Sequence, residues 1–583
     1  MSIGTSTIAL GASDLPLPVG SDQTRGPHPE QGDVQAWHRV LTVLAVIGLF
    51  TGIRPLWNGI EGPSPHLAFV VTCSYAGLMA CGVLALTART RRALTRIDLA
   101  VLLLAIVIVL CQYYLNHAGT DEGQLTAQAA TQVLHGHPIY GQSWPWVFKH
   151  VVLTPTMSGG GDYTYAYPPL SALLTAPVHA LWHSTASATL VTTAFLIATA
   201  VLLWIMLPAQ WRSLATLTCL SLGVLPSYAR DGYPALIALF FLVPVIVRFH
   251  LTGQGGRLGR RGTIAALCLG VACGAQQLPW FLAPFLLVTL YALRRGELGP
   301  RSALAVVARY TGLAVLGWII ADAFCLVTEP VGLVKGMLLP FSQHAVPHGQ
   351  GLMGISYYLT SGSSRLGYYA YAGDLLLLGL LAATVLFVRR LGAAVTVLPW
   401  LAFYLEIRSQ DGYYVLMTPL WIAAAATVPM SAFSHAWQPR LPRLLRSRTA
   451  RVLLAGALLV PATASTAIAA TSTAPLRMHA TAHWAASTGR TLTSVDLTVT
   501  NRTNAAITPH FTYRYGTDAW TFWTATSGPA TLPAHASAHY VLTPPHGKLK
   551  LGAASGGRNY LVVFSDAPQT VSSTVIPLVA HHH

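Results

Sequence analysis

Charge is scarce in this chain. Only 9% of its 583 residues are Asp, Glu, Lys or Arg, against about a quarter in an ordinary soluble domain, and that shortage excludes a water-soluble enzyme. Acids are scarcer than bases, 19 against 35, which leaves a formal charge of +16. In a soluble chain this excess would raise the question of nucleic-acid binding. Here the arginines stand in short loops between apolar runs and report membrane orientation instead, so no nucleic-acid partner is expected. Cysteine is scarce as well: all seven, Cys73, Cys81, Cys111, Cys219, Cys268, Cys273 and Cys325, lie in apolar stretches, which implies no disulfide framework and no metal site. The first 35 residues lack an apolar h-region, which excludes a signal peptide. Their Gly, Pro, Ser and Asp make residues 1–36 read as a disordered tail. No internal repeat is found, and His581, His582 and His583 receive no function.

What is present is hydrophobicity, 53% of residues with a mean hydropathy of +0.52. Apolar runs near bilayer length recur through residues 37–471, and about thirteen crossing helices are expected: near 38–57, 66–87, 97–115, 187–207, 213–229, 233–250, 263–277, 279–293, 309–327, 372–388, 391–407, 413–430 and 451–471. Arginine clusters at Arg89 to Arg96, Arg257 to Arg261, Arg294 to Arg301, Arg389 with Arg390, and Arg440 to Arg451 each follow an even-numbered span. The positive-inside rule places that side in the cytoplasm, with the N-terminus inside and the C-terminus outside. The map requires the piece from Tyr167 to Trp182, interrupted by Pro177 and His179, to lie in the outer interface. The outside then holds residues 116–186, 328–371 and 472–583, and chemistry is expected there. From residue 472 the periodicity becomes alternation, as in Leu492, Val495, Leu497 and Val499, with turn signals between the runs. A β-sandwich on the outer face is expected. In it Trp520, Phe522 and Trp523 form either a sugar-binding strip or core.

The first outer piece opens Asn116-His117-Ala118-Gly119-Thr120-Asp121-Glu122-Gly123. Thr120 is placed to cap the next helix, which puts two carboxylates at a helix N-terminus beside the bilayer. The anion is stabilised there, and a carboxylate so held can take a proton from a hydroxyl; the plainer reading is a helix cap and a solvated loop. Phosphate-binding candidates are Arg230, Arg408 and Lys149. Asp231 and Asp411 offer the two arginines ordinary ion-pair partners, and Lys149 beside Trp146 and Phe148 also reads as an interface anchor. His344 and His348 are four apart across Pro347 with no acid at ligand spacing, which points to hydrogen bonding or a polar loop rather than metal. Asp322, inside a span, is costly and is either functional or an arginine's partner. Among many interfacial rings, Tyr167 and Trp280 are the ones selected for sugar stacking.

The run Asp121-Glu122, Ala129-Ala130, Leu134-His135-Gly136-His137-Pro138-Ile139-Tyr140 and Tyr167-Pro168-Pro169-Leu170 resembles the first outer loop of the integral-membrane glycosyltransferases of the GT-C superfamily. The resemblance runs loosely over residues 97 to 430 and takes in Gln276-Gln277-x-Pro279-Trp280 and Tyr413-Tyr414-x-x-x-x-Pro419. Two additional N-terminal spans and the absence of a Lys near Gln276 depart from that pattern. The resemblance implies inverting transfer of a sugar, a hexose such as mannose or a pentose such as arabinose, from a polyprenyl-phosphate donor to a glycan or glycolipid hydroxyl on the outer face of a bacterial plasma membrane. It carries the general-base role to Asp121, with Glu122 as neighbour or alternate, and places Gln276, Gln277 and Tyr413 toward the donor. No cofactor and no metal are expected. Two readings of other classes stay open, a transporter or flippase of lipid-linked sugars using Asp121 and Asp322, and a wall-assembly scaffold.

Overall fold

The computed structural model describes residues 31–576 except 53, 61–63, 150, 152, 441, 443–446, 485–490, 516, 517, 520, 548 and 551–558. Most of the expected tail, Arg443, Arg446, Trp520 and the three closing histidines lie outside the described residues. Residues 31–36, assigned to that tail, form the first turns of helix Gln31–Gly52.

The helical body follows the apolar runs, with local signals setting helix ends. The Thr90 hydroxyl accepts the Ala93 amide at the start of Arg91–Leu115, and Ser447 does the same for Ala450 in Arg448–Thr471, each satisfying an amide that the helix leaves unpaired. Proline stands in the first turn of Pro65–Thr87, Leu278–Leu298 and Pro300–Thr328, where its missing N–H costs nothing.

Among the described residues, six helices have both the length and the composition to cross a membrane: Pro65–Thr87, Arg91–Leu115, Ala186–Met206, Pro300–Thr328, the run Tyr368–Thr396 and Arg448–Thr471. Other expected spans are shorter or broken. The run 213–229 becomes a helix Ser213–Thr216, a π turn Leu217–Ser221 and, after Gly223 at φ +76°, a separate helix Val224–Asp231. Helix Gln31–Gly52 passes so close that a Cβ on Gly223 would stand 3.2 Å from the Gly52 carbonyl. Residues 391–407 break at Gly392 (φ +54°) into 3-10 turns Gly392–Thr396 and Leu398–Tyr404. Helix Ala235–Ile246 has only 12 residues, almost all buried in the main core, and a helix enclosed by protein need not match the bilayer. Helix Leu170–Trp182, expected to lie in the interface, has 13 residues, roughly 20 Å at 1.5 Å per residue against a hydrocarbon core of about 30 Å.

One end of the body gathers arginines. Arg294 donates to the His250 carbonyl, Arg389 to Ala436 and Arg309 to Gly256. The end at Gln277 carries the loops described next.

The C-terminal region is strand-rich and, among the described residues, forms no closed barrel. One antiparallel sheet runs Leu549–Lys550, Thr491–Asn501, Ser537–Thr543, Thr524–Ser527, with Leu476–Trp484 also paired to Thr491–Asn501. The other runs Gly362–Ser363, Thr570–Val575, Asn559–Ser565, His510–Tyr515, Asp518–Ala519. Leu497 and Val499 of the first share one core with Phe511, Leu561 and Val563 of the second, as the alternation in residues 492–499 predicts. Trp523 belongs to that core, and Phe522 lies against a second core that joins this region to the body.

Gly362–Ser363 belongs to the expected second outer loop, yet it pairs with Ser572 and Val571 as an edge strand of the C-terminal sheet. Met157, Met353, Tyr357 and Tyr369 pack beneath it on Val562, Phe564 and Val571. Arg514, 3% exposed, lays its guanidinium over Tyr357, Tyr358 and Tyr560 at 4.8, 5.0 and 4.3 Å. The body and the C-terminal region are thus joined through sheet, core and cation–π contacts.

Candidate functional site

Asp121 opens helix Asp121–Leu134, which leaves helix Arg91–Leu115 through a five-residue turn. Thr120 occupies the cap position without capping. Its hydroxyl lies 2.7 Å from Glu122 Oε2 and 3.1 Å from the Asp231 carbonyl, and its amide donates to that same carbonyl at 2.9 Å. Asp121 supplies the cap, with Oδ1 accepting the Glu122 amide at 3.1 Å. The Thr120 expectation is corrected accordingly: helix Val224–Asp231 ends against this turn, and the Thr120 groups serve its last carbonyl instead. The approach is close enough that a Cβ on Gly123 would lie 2.8 Å from the Asp231 oxygen.

A second segment reaches the carboxylate from residues 151–163. Thr154 donates its hydroxyl to Asp121 Oδ2 at 2.5 Å, and the Asp162 amide returns to the Thr154 carbonyl at 2.9 Å. Bridges from Pro155 to Gly161 and from Thr156 to Ala345 hold this turn against the loop after residue 342. Asp162 therefore stands close enough to Asp121 and Arg408 to feel both charges, and its carboxyl accepts from Gln343. Withdrawal from water pushes Asp162 up to about 6, against the pull of those donors. Loss of water, then the Asp121 charge and a shared hydrogen bond with it, push Glu122 well above the usual carboxylate range. Burial also raises Asp231, which Arg230 partly offsets.

The structure thus brings together Asp121, Glu122, Tyr167, Arg408 and Tyr413: Tyr167 lies within the fields of Glu122, Asp121 and Asp162, and Tyr413 within those of Arg408 and Glu122. Arg408 is set by a short parallel pairing, His348 with Arg408 and Gly349 with Ser409, which puts His348 in register beside it. Arg230 sits in the last turn behind the cluster and donates to the Pro226 carbonyl at 3.3 Å. Asp411 accepts from the Tyr228 hydroxyl at 2.8 Å rather than from Arg408.

The other residues selected from sequence lie elsewhere. Gln277 is buried, and its amide nitrogen donates to Ala166 at 2.6 Å and Met337 at 3.2 Å. It clips the segment that carries Tyr167 to the helix Pro330–Ser342. Gln276 accepts the Gln277 amide. The Trp280 ring stacks on Phe341 and donates to the Cys273 carbonyl. Lys149 is exposed on the turn after Pro145–Phe148. His344 pairs with Asp566 at 2.5 Å, tying this end to the C-terminal region.

Three contributors escape a sequence reading. Asp162 is a single acid in Ser158-Gly159-Gly160-Gly161-Asp162, and only the glycine-rich turn hints that the chain doubles back there. Thr154 has no distinguishing context. Glu329 accepts the Ile139 and Tyr140 amides at 2.7 and 3.2 Å, fixing the Gly136 to Tyr140 motif from 190 residues away. Among the described residues no three His, Cys, Asp or Glu side chains come together in metal-holding geometry.

Comparisons with family models, with curated proteins and with solved structures give no match, and a functional reading rests on the chemistry of the Asp121 cluster itself.

Proposed function

We propose that the chain is a membrane glycosyltransferase that moves a sugar, a hexose such as mannose, from a polyprenyl-phosphate donor to a hydroxyl of a glycan or glycolipid. The observation that carries this reading is the Asp121 carboxylate, anchored by the Thr154 hydroxyl and the Glu122 amide at a helix start, with Arg408 in the same cluster. In the proposed step the acceptor oxygen forms its bond to the anomeric carbon as the carbon–oxygen bond to the lipid phosphate breaks. The acceptor proton goes to Asp121, and the bonding pair leaves with the phosphate, whose negative charge Arg408 balances. Burial and the neighbouring Asp121 charge favour the uncharged form of Glu122, which adds no charge beside the departing anion. The lipid would lie between helices, with the Asp121 end outside a bacterial plasma membrane, the arginine end and the N-terminus in the cytoplasm, and the C-terminal strands orienting the acceptor.

The test is transfer of radiolabelled sugar from a panel of polyprenyl-phosphate donors by the full chain and by Asp121→Asn. Transfer by the wild type and none by a folded Asp121→Asn is expected. Equal transfer by both would remove Asp121 from the chemistry.

A second reading, a transporter of lipid-linked sugars, is favoured by one observation: Asp322, an acid inside helix Pro300–Thr328, is fully buried and neither of its oxygens has a hydrogen-bond partner, and an ionisable group kept within a span is a proton-relay candidate. Proton-coupled lipid-sugar movement in vesicles, lost in Asp322→Asn and kept in Asp121→Asn, would establish that reading over the first.

A further inference from the structure

At the arginine end of the body, helices Leu278–Leu298, Pro300–Thr328 and Tyr368–Leu391 line an open cavity of about 390 Å³, within the range of ligand sites. Its wall is apolar, with Leu287, Val288, Val307 and Val385 inside and Tyr291 and Trp437 on one side. Leu304 at its margin is 62% exposed, so the cavity reaches the surface that faces lipid.

The aromatic side carries the charge. Arg295 sits over Trp437, its guanidinium carbon 3.7 Å from the ring centre, and donates to the Tyr291 hydroxyl at 3.1 Å. Trp437 is pinned by its amide to the Ala292 carbonyl at 2.7 Å, and Arg389 donates to neighbouring Ala436 at 2.6 Å. Arg294, one residue before Arg295, is already neutralised by Glu297 at 2.7 Å. Arg295 and Arg389 pair with no carboxylate among the described residues. Two guanidinium groups without acidic partners are thus tied to the aromatic side of an apolar cavity near three helix ends, Arg295 through Trp437 and Tyr291 and Arg389 through Ala436 next to Trp437.

We infer that this cavity is a binding site for an anionic glycerophospholipid, with one acyl chain between the three helices and the phosphate at Arg295 and Arg389. A guanidinium already held over a ring meets phosphate oxygens at less entropic cost than a free side chain. The apolar wall supplies the burial that a free phosphate would not gain. The site is separate from the Asp121 cluster. Gln277, which clips the Tyr167 segment, and Arg295 stand at opposite ends of one helix, roughly 26 Å apart by helical rise, and the inference does not depend on the transferase reading.

The experiment uses the full chain, delipidated in detergent and titrated with phosphatidylglycerol, with phosphatidylcholine of the same acyl chains, or with inorganic phosphate, bound lipid being counted by native mass spectrometry. Phosphatidylglycerol should be held at least about tenfold more tightly, as expected for a charge-assisted contact. Arg295→Gln should erase that preference while still holding both lipids weakly. Val288→Trp, which fills the cavity, should reduce both, and Leu304→Trp serves at the margin if the first variant does not fold. Equal retention of the two lipids, an unchanged preference in Arg295→Gln, or the same occupancy by inorganic phosphate alone would each overturn the assignment.

Discussion

Replacing Asp322 by leucine should make the protein more stable. The carboxyl is 0% exposed and both oxygens lack partners, and a buried polar group left unpaired costs about 1–3 kcal/mol. Leucine has nearly the same branched shape and adds apolar burial worth up to about 1.5–3 kcal/mol. Against this stands crowding: a Cβ on Gly274 would be only 2.6 Å from Asp322 Oδ1, so the helix Gly259–Ala275 passes directly behind the side chain, and overpacking costs about 1–3 kcal/mol. The favourable terms exceed the opposing one, and a net gain of about 1–3 kcal/mol is expected. Thermal unfolding in detergent, followed by tryptophan fluorescence, measures it, with Asp322→Asn as the control that keeps two unpaired polar atoms and should change little. A loss of stability in Asp322→Leu would refute the reasoning: either the carboxyl has a partner, such as an ion or a buried water, or crowding at Gly274 outweighs both gains. A gain in stability with transfer intact would separate Asp322 from the Asp121 chemistry.

Glu122→Gln should retain most transfer activity, since burial and the Asp121 charge favour the uncharged carboxyl, which an amide mimics; a loss as deep as that of Asp121→Asn would show that Glu122 works as an anion. Asp162 gives a pH dependence of defined sign. Its folded value of about 6 lies above the ordinary 3.8, so its contribution is fully present below 3.8 and is lost as pH rises through 6. Unfolding midpoints should therefore fall across that window in the wild type relative to Asp162→Asn and run parallel above it; parallel curves throughout would refute the assignment. Arg514→Leu removes three cation–π contacts worth about 0.5–1 kcal/mol each or more when buried, so it should loosen the C-terminal sheet and speed its limited proteolysis, whereas an unchanged cleavage rate would show that Arg514 does not hold that interface.

Helix positions were largely legible from apolar runs. The expected 66–87 and 187–207 correspond to Pro65–Thr87 and Ala186–Met206, because a helix exposed to lipid must be apolar along its whole length. Breaks were not legible. Hydropathy counts the side chains of 213–229 and is blind to Gly223 turning left-handed where another helix crosses. In the cluster, Asp121 and Glu122 could be placed at a helix start because their local context says so. Asp162, Thr154 and Glu329 could not, since their roles arise from contacts between segments far apart in the chain.

The pairing of Gly362–Ser363 with Thr570–Val575 also governs how the protein is made. The edge strand is synthesised about two hundred residues before the strand it will pair with, and it must wait, held by Ser363 against Ala469 and Ser472, until the last strands emerge. A protein cut at residue 472 would leave a raw sheet edge on the C-terminal product and one bared ring on each, Tyr357 on the body and Phe564 on the strands. Unpaired edges recruit one another, so the excised C-terminal region should self-associate, and supplying the helical body in trans is the natural remedy.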